Sequence, residues 1–314
     1  MIGIVTLNPC IDKSLRAPSL GGTGFVNVTD THYITGGKGL NVSRALRTFY
    51  TPHRGITAVG GQNGQRIIDM LEAEGAPCSY IHVTPETRTI TTVFAPDGQF
   101  VAYKETPEPW TDKDVACVER KLNVFIEGLD ILCISGSVPP GCPKDIYARL
   151  ITRAKEHGIT VVLDASGEEF VQGLAACPDY AVPNDDEVAA FLGYSVTTWD
   201  DKVQAVEAML RAGIAHPILT MGKEGSLYGC TGTDKCCEVV YVHGAIVDTV
   251  NPTGCGDSFL AGLLYGLSQG MDMHGCMAFA AASGASDARS ADAGVISVAE
   301  VLKYMEDVRF DVQN

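Results

Sequence analysis

Leu129 to Ser135 is apolar almost throughout, and a second run of the same kind, Ile159 to Leu163, follows after a stretch with helical spacing. Between them Gly136-Ser137-Val138-Pro139-Pro140-Gly141 turns the chain. Ile146, Leu150, Ile151 and Ala154 then fall on one helical face, and Gly158 sits where a C-terminal cap belongs. The pattern recurs: Val203, Val206 and Leu210 face one way, Gly213 stops the helix, and a strand runs around Pro217 to Met221. Strands that are hydrophobic along their whole length leave no face for water. Joined by amphipathic helices, they imply an α/β fold with a mostly parallel central sheet covered on both sides. At 314 residues the chain is long enough to bury such a core.

Two early segments follow a different rule. Phe25 to Thr35 and Arg88 to Lys104 alternate β-branched and polar residues, and Asp97-Gly98 between Phe94 and Phe100 signals a hairpin. They predict a small separate β sheet, inserted at about residues 13–35 and 88–105 of a unit spanning 1–314. Such a sheet serves either as a lid that excludes water or as a dimerisation surface, and the two are compatible.

Composition excludes several classes. A net charge of −15 opposes a nucleic-acid or acidic-membrane partner, so a phosphorylated ligand requires basic residues gathered in its pocket. Met1-Ile2-Gly3-Ile4-Val5-Thr6-Leu7 reads as a first buried strand and not a signal peptide, and no apolar run is long enough to span a bilayer. The eleven cysteines are scattered without a Cys-x-x-Cys pair, which points to small buried thiols in a reducing cytoplasm and not to zinc. The adjacent Cys236-Cys237 lacks zinc-finger spacing.

Chemistry concentrates in the turns after strands. Asn251-Pro252-Thr253-Gly254-Cys255-Gly256-Asp257 opens a helix, so the N–H groups of Gly254, Cys255 and Gly256 can converge on an anion while Asp257 stands ready to accept a proton. The same run also suits an ordinary turn with an Asp cap. Gly36-Gly37-Lys38-Gly39-Leu40-Asn41 allows close approach of a ligand, with Lys38 supplying charge and Asn41 reaching sugar hydroxyls. Asp12 after the first strand fits a pair of hydroxyls, and Arg88 and Lys104 bracket the hairpin where they could bind a phosphate or simply be solvated. Asn184 and Glu187 lie three apart at a helix start, a spacing that suits either Mg²⁺ held through water or a capping box. Thr220, Gly222 and Gly225 form another post-strand turn that a nucleotide could approach.

Taken in order, these pieces resemble the PfkB, or ribokinase-like, family of small-molecule kinases. The resemblance runs from Thr6-Leu7-Asn8-Pro9 and Asp12 through Gly36 to Asn41, Thr87-Arg88, Ser135-Gly136-Ser137, Asn184 to Glu187 and Gly222 to Gly225, ending at Gly254 to Asp257. Its look is that of the 1-phosphofructokinase and tagatose-6-phosphate kinase branch. The family implies a ribokinase-like sheet with a β lid, often used to form a homodimer, and ATP- and Mg²⁺-dependent transfer to a sugar hydroxyl. It assigns Asp257 as base, the N–H groups of residues 254–256 as anion hole, and Asp12, Gly37, Lys38, Asn41 and Arg88 to the sugar phosphate, with Lys104 joining them by its charge beside the hairpin. Asn184, Thr220, Gly222 and Gly225 go to the nucleotide, and Glu187 to the metal. Three departures stand out: Cys255 where Ala or Ser is usual, Val182 in place of a lysine, and Lys104 to Trp110 in place of an acidic Pro-Gly segment. The expected function is phosphorylation of fructose 1-phosphate or tagatose 6-phosphate. The rivals are a kinase for a free sugar or nucleoside on the same scaffold, and a non-catalytic sugar-phosphate sensor.

Overall fold

In the computed structural model, residues 1–21, 24–231 and 237–313 are described; Cys236 of the Cys236-Cys237 pair lies outside them. The chain begins with β1 (Ile2–Thr6), β2 (Cys10–Arg16), β3 (Asp30–Gly36), α1 (Lys38–Thr48), β4 (His53–Val59), α2 (Gly61–Ala73) and β5 (Cys78–His82). β6 (Thr89–Phe94) and β7 (Phe100–Lys104) flank the Asp97-Gly98 turn. There follow α3 (Asp112–Phe125), β8 (Ile131–Ser135), α4 (Ile146–Glu156), β9 (Thr160–Asp164), α5 (Gly167–Ala175) and β10 (Tyr180–Ala181). Next come α6 (Asp185–Leu192), α7 (Trp199–Arg211) and β11 (His216–Thr220). The chain closes with β12 (Ser226–Thr231), β13 (Cys237–His243), α8 (Cys255–Ser268), α9 (Met273–Asp287), α10 (Val298–Met305) and β14 (Arg309–Gln313).

The large sheet runs β14-β13-β12-β11-β10-β9-β8-β1-β4-β5. The run from β5 to β11 is parallel, while β12, β13 and β14 add an antiparallel edge. Alternation along each central strand splits the core in two. Leu132 and Ile134 of β8 and Leu163 of β9 face the layer built on Phe125, Tyr147, Leu150 and Phe170, whereas Ile131, Cys133 and Val162 face α1, α8 and α9. Both faces are therefore dry, as the unbroken apolar runs require. Cys10, Cys133, Cys142 and Cys276 are buried free thiols. Among the described residues, no helix is long and apolar enough to cross a membrane.

The second sheet is ordered β3-β2-β6-β7, and Asp12, Ile90 and Lys104 on it share a cleft with the strand ends of the first. Its boundaries differ from the expectation in two ways. The first insertion begins at Cys10 and not near residue 13, because β2 is already paired with β3 at Cys10 and with β6 at Ile11. The return strand begins at Asp30 and not at Phe25, since Phe25, Val26 and Val28 are exposed outside any strand despite their alternation. Asp12 consequently sits on a lid strand, not in a loop.

The close approach of α8 to α9 sets where the start of α8 lies. A Cβ on Gly262 would stand 2.6 Å from Ser283 Oγ, 2.7 Å from Phe279 O and 2.8 Å from Ala280 Cα, and backbone atoms cannot swing aside. Gly262→Ala is therefore expected to lower the unfolding free energy by about 1–3 kcal/mol. That runs against the helix-propensity gain of about 1 kcal/mol for Ala over Gly. Urea titration measures it, and undiminished stability would show that the two helices separate freely.

Candidate active site

The parallel strands end together beneath the lid. Thr6 of β1, Ser135 of β8, Asp164 of β9 and Thr220 of β11 line a cleft of about 590 Å³. Asn184 and Glu187 join them from the start of α6, and Asp12, Ile90 and Lys104 from the lid. Gly254, Gly256 and Asp257 at the start of α8 line the same cleft as Gly37, Lys38 and Asn41 at the start of α1, so the late glycine turn and the early lysine turn share one space.

Asp257 is the centre of this arrangement. It lies in the first turn of α8, is 8% exposed, and its Oδ2 accepts a hydrogen bond of 2.8 Å from Asn41 Nδ2. Burial pushes its carboxyl up to about 7, helped by the negative charge of Asp164 and opposed by Lys38 and the Asn41 bond. A carboxyl in that range changes protonation near neutral pH and is well placed to take a proton. The turn before it has Gly254 at φ 95°, where a Cβ would also stand 2.5 Å from Ala293 Cβ. Only glycine fits there. Cys255 does not line the cleft; its N–H is turned to Pro252 O at 3.5 Å and its thiol to Asn251 O.

Lys38 is engaged by two acids. Its Nζ donates to Asp164 Oδ1 at 2.8 Å and to Glu187 Oε1 at 2.7 Å. Burial opposes its charge, but Asp164, Glu187 and Asp257 outweigh that and hold the ammonium well above its ordinary range. Asp164, which the sequence reading did not single out, also accepts from Ser135 Oγ at 2.8 Å. Its partners lie 29 and 126 residues away, and Val161-Val162-Leu163-Asp164 on its own reads as the end of a strand. Arg88 lines the cleft at the root of β6 and donates to Asn8 O at 3.2 Å. Asp12 accepts from the Cys10 thiol at 3.5 Å, and burial raises its carboxyl above the usual range.

Asn184 and Glu187 form a capping box. Asn184 Oδ1 accepts from Glu187 N at 2.9 Å, and Glu187 Oε2 accepts from Asn184 N at 3.0 Å. The capping alternative thus holds, and Glu187 still turns its second oxygen into the cleft toward Lys38. Among the described residues no three His, Cys, Asp or Glu side chains are grouped to grip a metal. The paired carboxylates of Asp164 and Glu187 nevertheless suit Mg²⁺, which commonly keeps waters and shares one or two carboxylates with substrate phosphates.

On the nucleotide side, Thr220 lines the cleft, and Gly222 and Gly225 lie in the turn that follows it directly. Packing also demands glycine at 225, where a Cβ would stand 2.2 Å from Val242 O of β13. A second acid missed in the sequence, Asp287, is 1% exposed behind the Gly254 turn, accepts from Val295 N at 2.9 Å, and is likewise pushed up to about 7 by burial.

Residues 2–297 match the pfkB family carbohydrate kinases. A 1-phosphofructokinase of Bacillus subtilis (strain 168) is 29% identical over 297 residues, covering 94% of each chain. The solved structure of Escherichia coli phosphofructokinase-2 superposes with a TM-score of 0.89 at 23% identity, over 98% of both chains. A ribokinase from Thermotoga maritima superposes with a TM-score of 0.74 at 20% identity, over 98% of this chain and 99% of the other. The fold is ribokinase-like, and the chain belongs to the pfkB family of carbohydrate kinases, phosphotransferases that act on a sugar.

Proposed function

We propose that the chain works as one kinase unit that transfers the γ-phosphoryl group of ATP to a hydroxyl of a phosphorylated ketohexose. Fructose 1-phosphate and tagatose 6-phosphate are the candidates, and the Bacillus 1-phosphofructokinase favours the first. The observation that carries the reading is the placement of Asp257, buried at the helix start and facing a cleft whose lid side carries Arg88 and Lys104. A sugar phosphate would be held at its existing phosphate by those two cations, since the ammonium of Lys38 is taken up by two carboxylates. Asp12 and Asn41 would orient the hydroxyls.

Asp257 receives the proton of the attacking hydroxyl as its oxygen bonds to the γ-phosphorus and the bond to the leaving ADP oxygen breaks. The start of α8, through the N–H groups around Gly254 and Gly256, faces the charge that spreads over the transferred group. Lys38 borders the same space, with its charge shared between Asp164 and Glu187. Asn184 and Thr220 lie on the nucleotide side. Glu187 and Asp164 would hold Mg²⁺, which when bound would supply charge neutralisation to the nucleotide phosphates. Positioning accounts for most of the rate. The exposed Val101 and Tyr103 of the lid support a homodimer through that sheet, and the buried free thiols support a cytoplasmic enzyme.

A panel of fructose 1-phosphate, tagatose 6-phosphate, fructose 6-phosphate, free fructose and a nucleoside, followed by ADP release, tests the substrate class. Two charge-assisted contacts to the existing phosphate predict kcat/KM at least roughly 100-fold above that for free fructose. Equal rates on free fructose would overturn the phosphorylated substrate, and tight sugar-phosphate binding with no ADP release would favour the sensor.

Asp257→Asn keeps the hydrogen-bonding shape but cannot take the proton. Turnover should fall by about 10²–10⁴-fold with the sugar-phosphate KM changed little; near-normal turnover rejects the base. A base with a raised carboxyl is lost by protonation on the acid side, so kcat/KM should climb about tenfold per pH unit up to about pH 7 and level off above it. The limb should persist in Asp287→Asn. A profile flat from pH 5 to 8 contradicts a base that titrates near neutral pH.

A further inference from the structure

Arg44 lies one turn after Asn41 on α1, is 14% exposed at its side chain, and spends its donors on separate elements. Nη1 donates to Asn41 Oδ1 at 2.9 Å and to Ala293 O at 3.0 Å. Nη2 donates to Thr35 O at 2.8 Å and Thr35 Oγ1 at 2.6 Å, at the root of lid strand β3. Nε faces Glu74 Oε2 at 3.5 Å.

The first of these bonds fixes a choice that Asn41 could otherwise make two ways. An amide turned the other way would aim its oxygen at the Asp257 carboxylate and its NH₂ at a guanidinium. Guanidinium only donates and carboxylate only accepts, so with Arg44 on Oδ1 the amide must turn Nδ2 toward Asp257. The other bonds tie that choice to the cleft walls. Ala293 packs directly on the Gly254 turn, and a Cβ on its neighbour Gly294 would stand 2.6 Å from Asn41 O, so the loop is wedged between the two helix starts. A second strap, His32 Nε2 to Asp292 Oδ2 at 3.2 Å, joins the same loop to the same lid strand.

We propose that Arg44 is a positioning residue that locks Asn41 in the orientation that meets Asp257 and couples that lock to the seating of the lid strand and of the 291–294 loop. It touches neither the reacting atoms nor the cleft surface, and it acts through Asn41, Thr35 and Ala293. The catalytic part of this role rests on Asp257 being the base.

The test is a double-mutant cycle in the full chain with Arg44→Lys, Asn41→Ala and the pair, assayed with ATP and the best substrate of the panel. A lysine keeps the charge, but one nitrogen cannot serve three elements at once. Arg44→Lys should lower kcat at least ~10-fold while the sugar-phosphate KM stays within ~3-fold. The double variant should lose no more than about 2-fold beyond Asn41→Ala alone, because both changes break the same link. Unchanged kcat in Arg44→Lys, or losses that multiply in the pair, overturns the inference. Should Arg44→Lys fold poorly, Arg44→Ala with added free guanidinium replaces it: recovery of kcat with guanidinium but not with sodium supports the lock, and no recovery in a folded variant rejects it. Normal turnover in Asp257→Asn would sink the base assignment and leave the Arg44–Asn41 coupling measurable, so the two failures are distinct.

Discussion

A carboxylate buried at the mouth of a helix constrains everything else in this molecule. Asp257 loses its water on burial, and the charged form survives near neutral pH only because Lys38, the Asn41 amide and the start of α8 face it. Each of those partners must arrive from a different part of the chain. α1 brings Asn41 and Lys38 by packing on β1 and α8, and α8 is seated by its contact with α9 through Gly262. Core packing and site chemistry are thus one problem: a helix displaced by an ångström would leave the carboxylate uncompensated.

The charge distribution follows the same logic. An acidic chain that handles polyanions needs local cations, and Arg88 and Lys104 supply them from the lid while Lys38 stands deeper. Lys38 is not left bare in the cleft. Asp164 and Glu187 hold it, so one cation and two carboxylates stabilise each other. Burying the pair with few other contacts would be costly, and Ser135 and the backbone of Asn184 meet the remaining carboxylate oxygens.

What could be read in the sequence was whatever is decided locally. The unbroken apolar strands announced the parallel sheet, Asp97-Gly98 announced the hairpin, and the glycines before α1 and α8 marked turns with ligand access. Asp164 and Arg44 were not legible, because their roles depend on partners that only the closed fold brings near: Lys38 for the first, Asn41, Thr35 and Ala293 for the second. Gly225 shows the same limit, since the close approach of Val242 O that demands glycine there comes from a strand distant in sequence. The stretch from Phe25 alternates like a strand, but alternation makes a strand only where an edge is available to pair, and here pairing starts at Asp30.

The place of Val182 brings these strands together. Val182 is 5% exposed, packed in the core layer with Ile218 and Val162, and reaches the cleft only with its apolar surface. Its N–H donates to Leu163 O, so the residue closes the sheet between β9 and β11 and brings no charge to the cleft. The cation comes instead from α1, where the ammonium of Lys38 donates to both Asp164 and Glu187. A buried acid pair needs a partner, and with an apolar residue before Pro183 that partner has to arrive from another element of the fold.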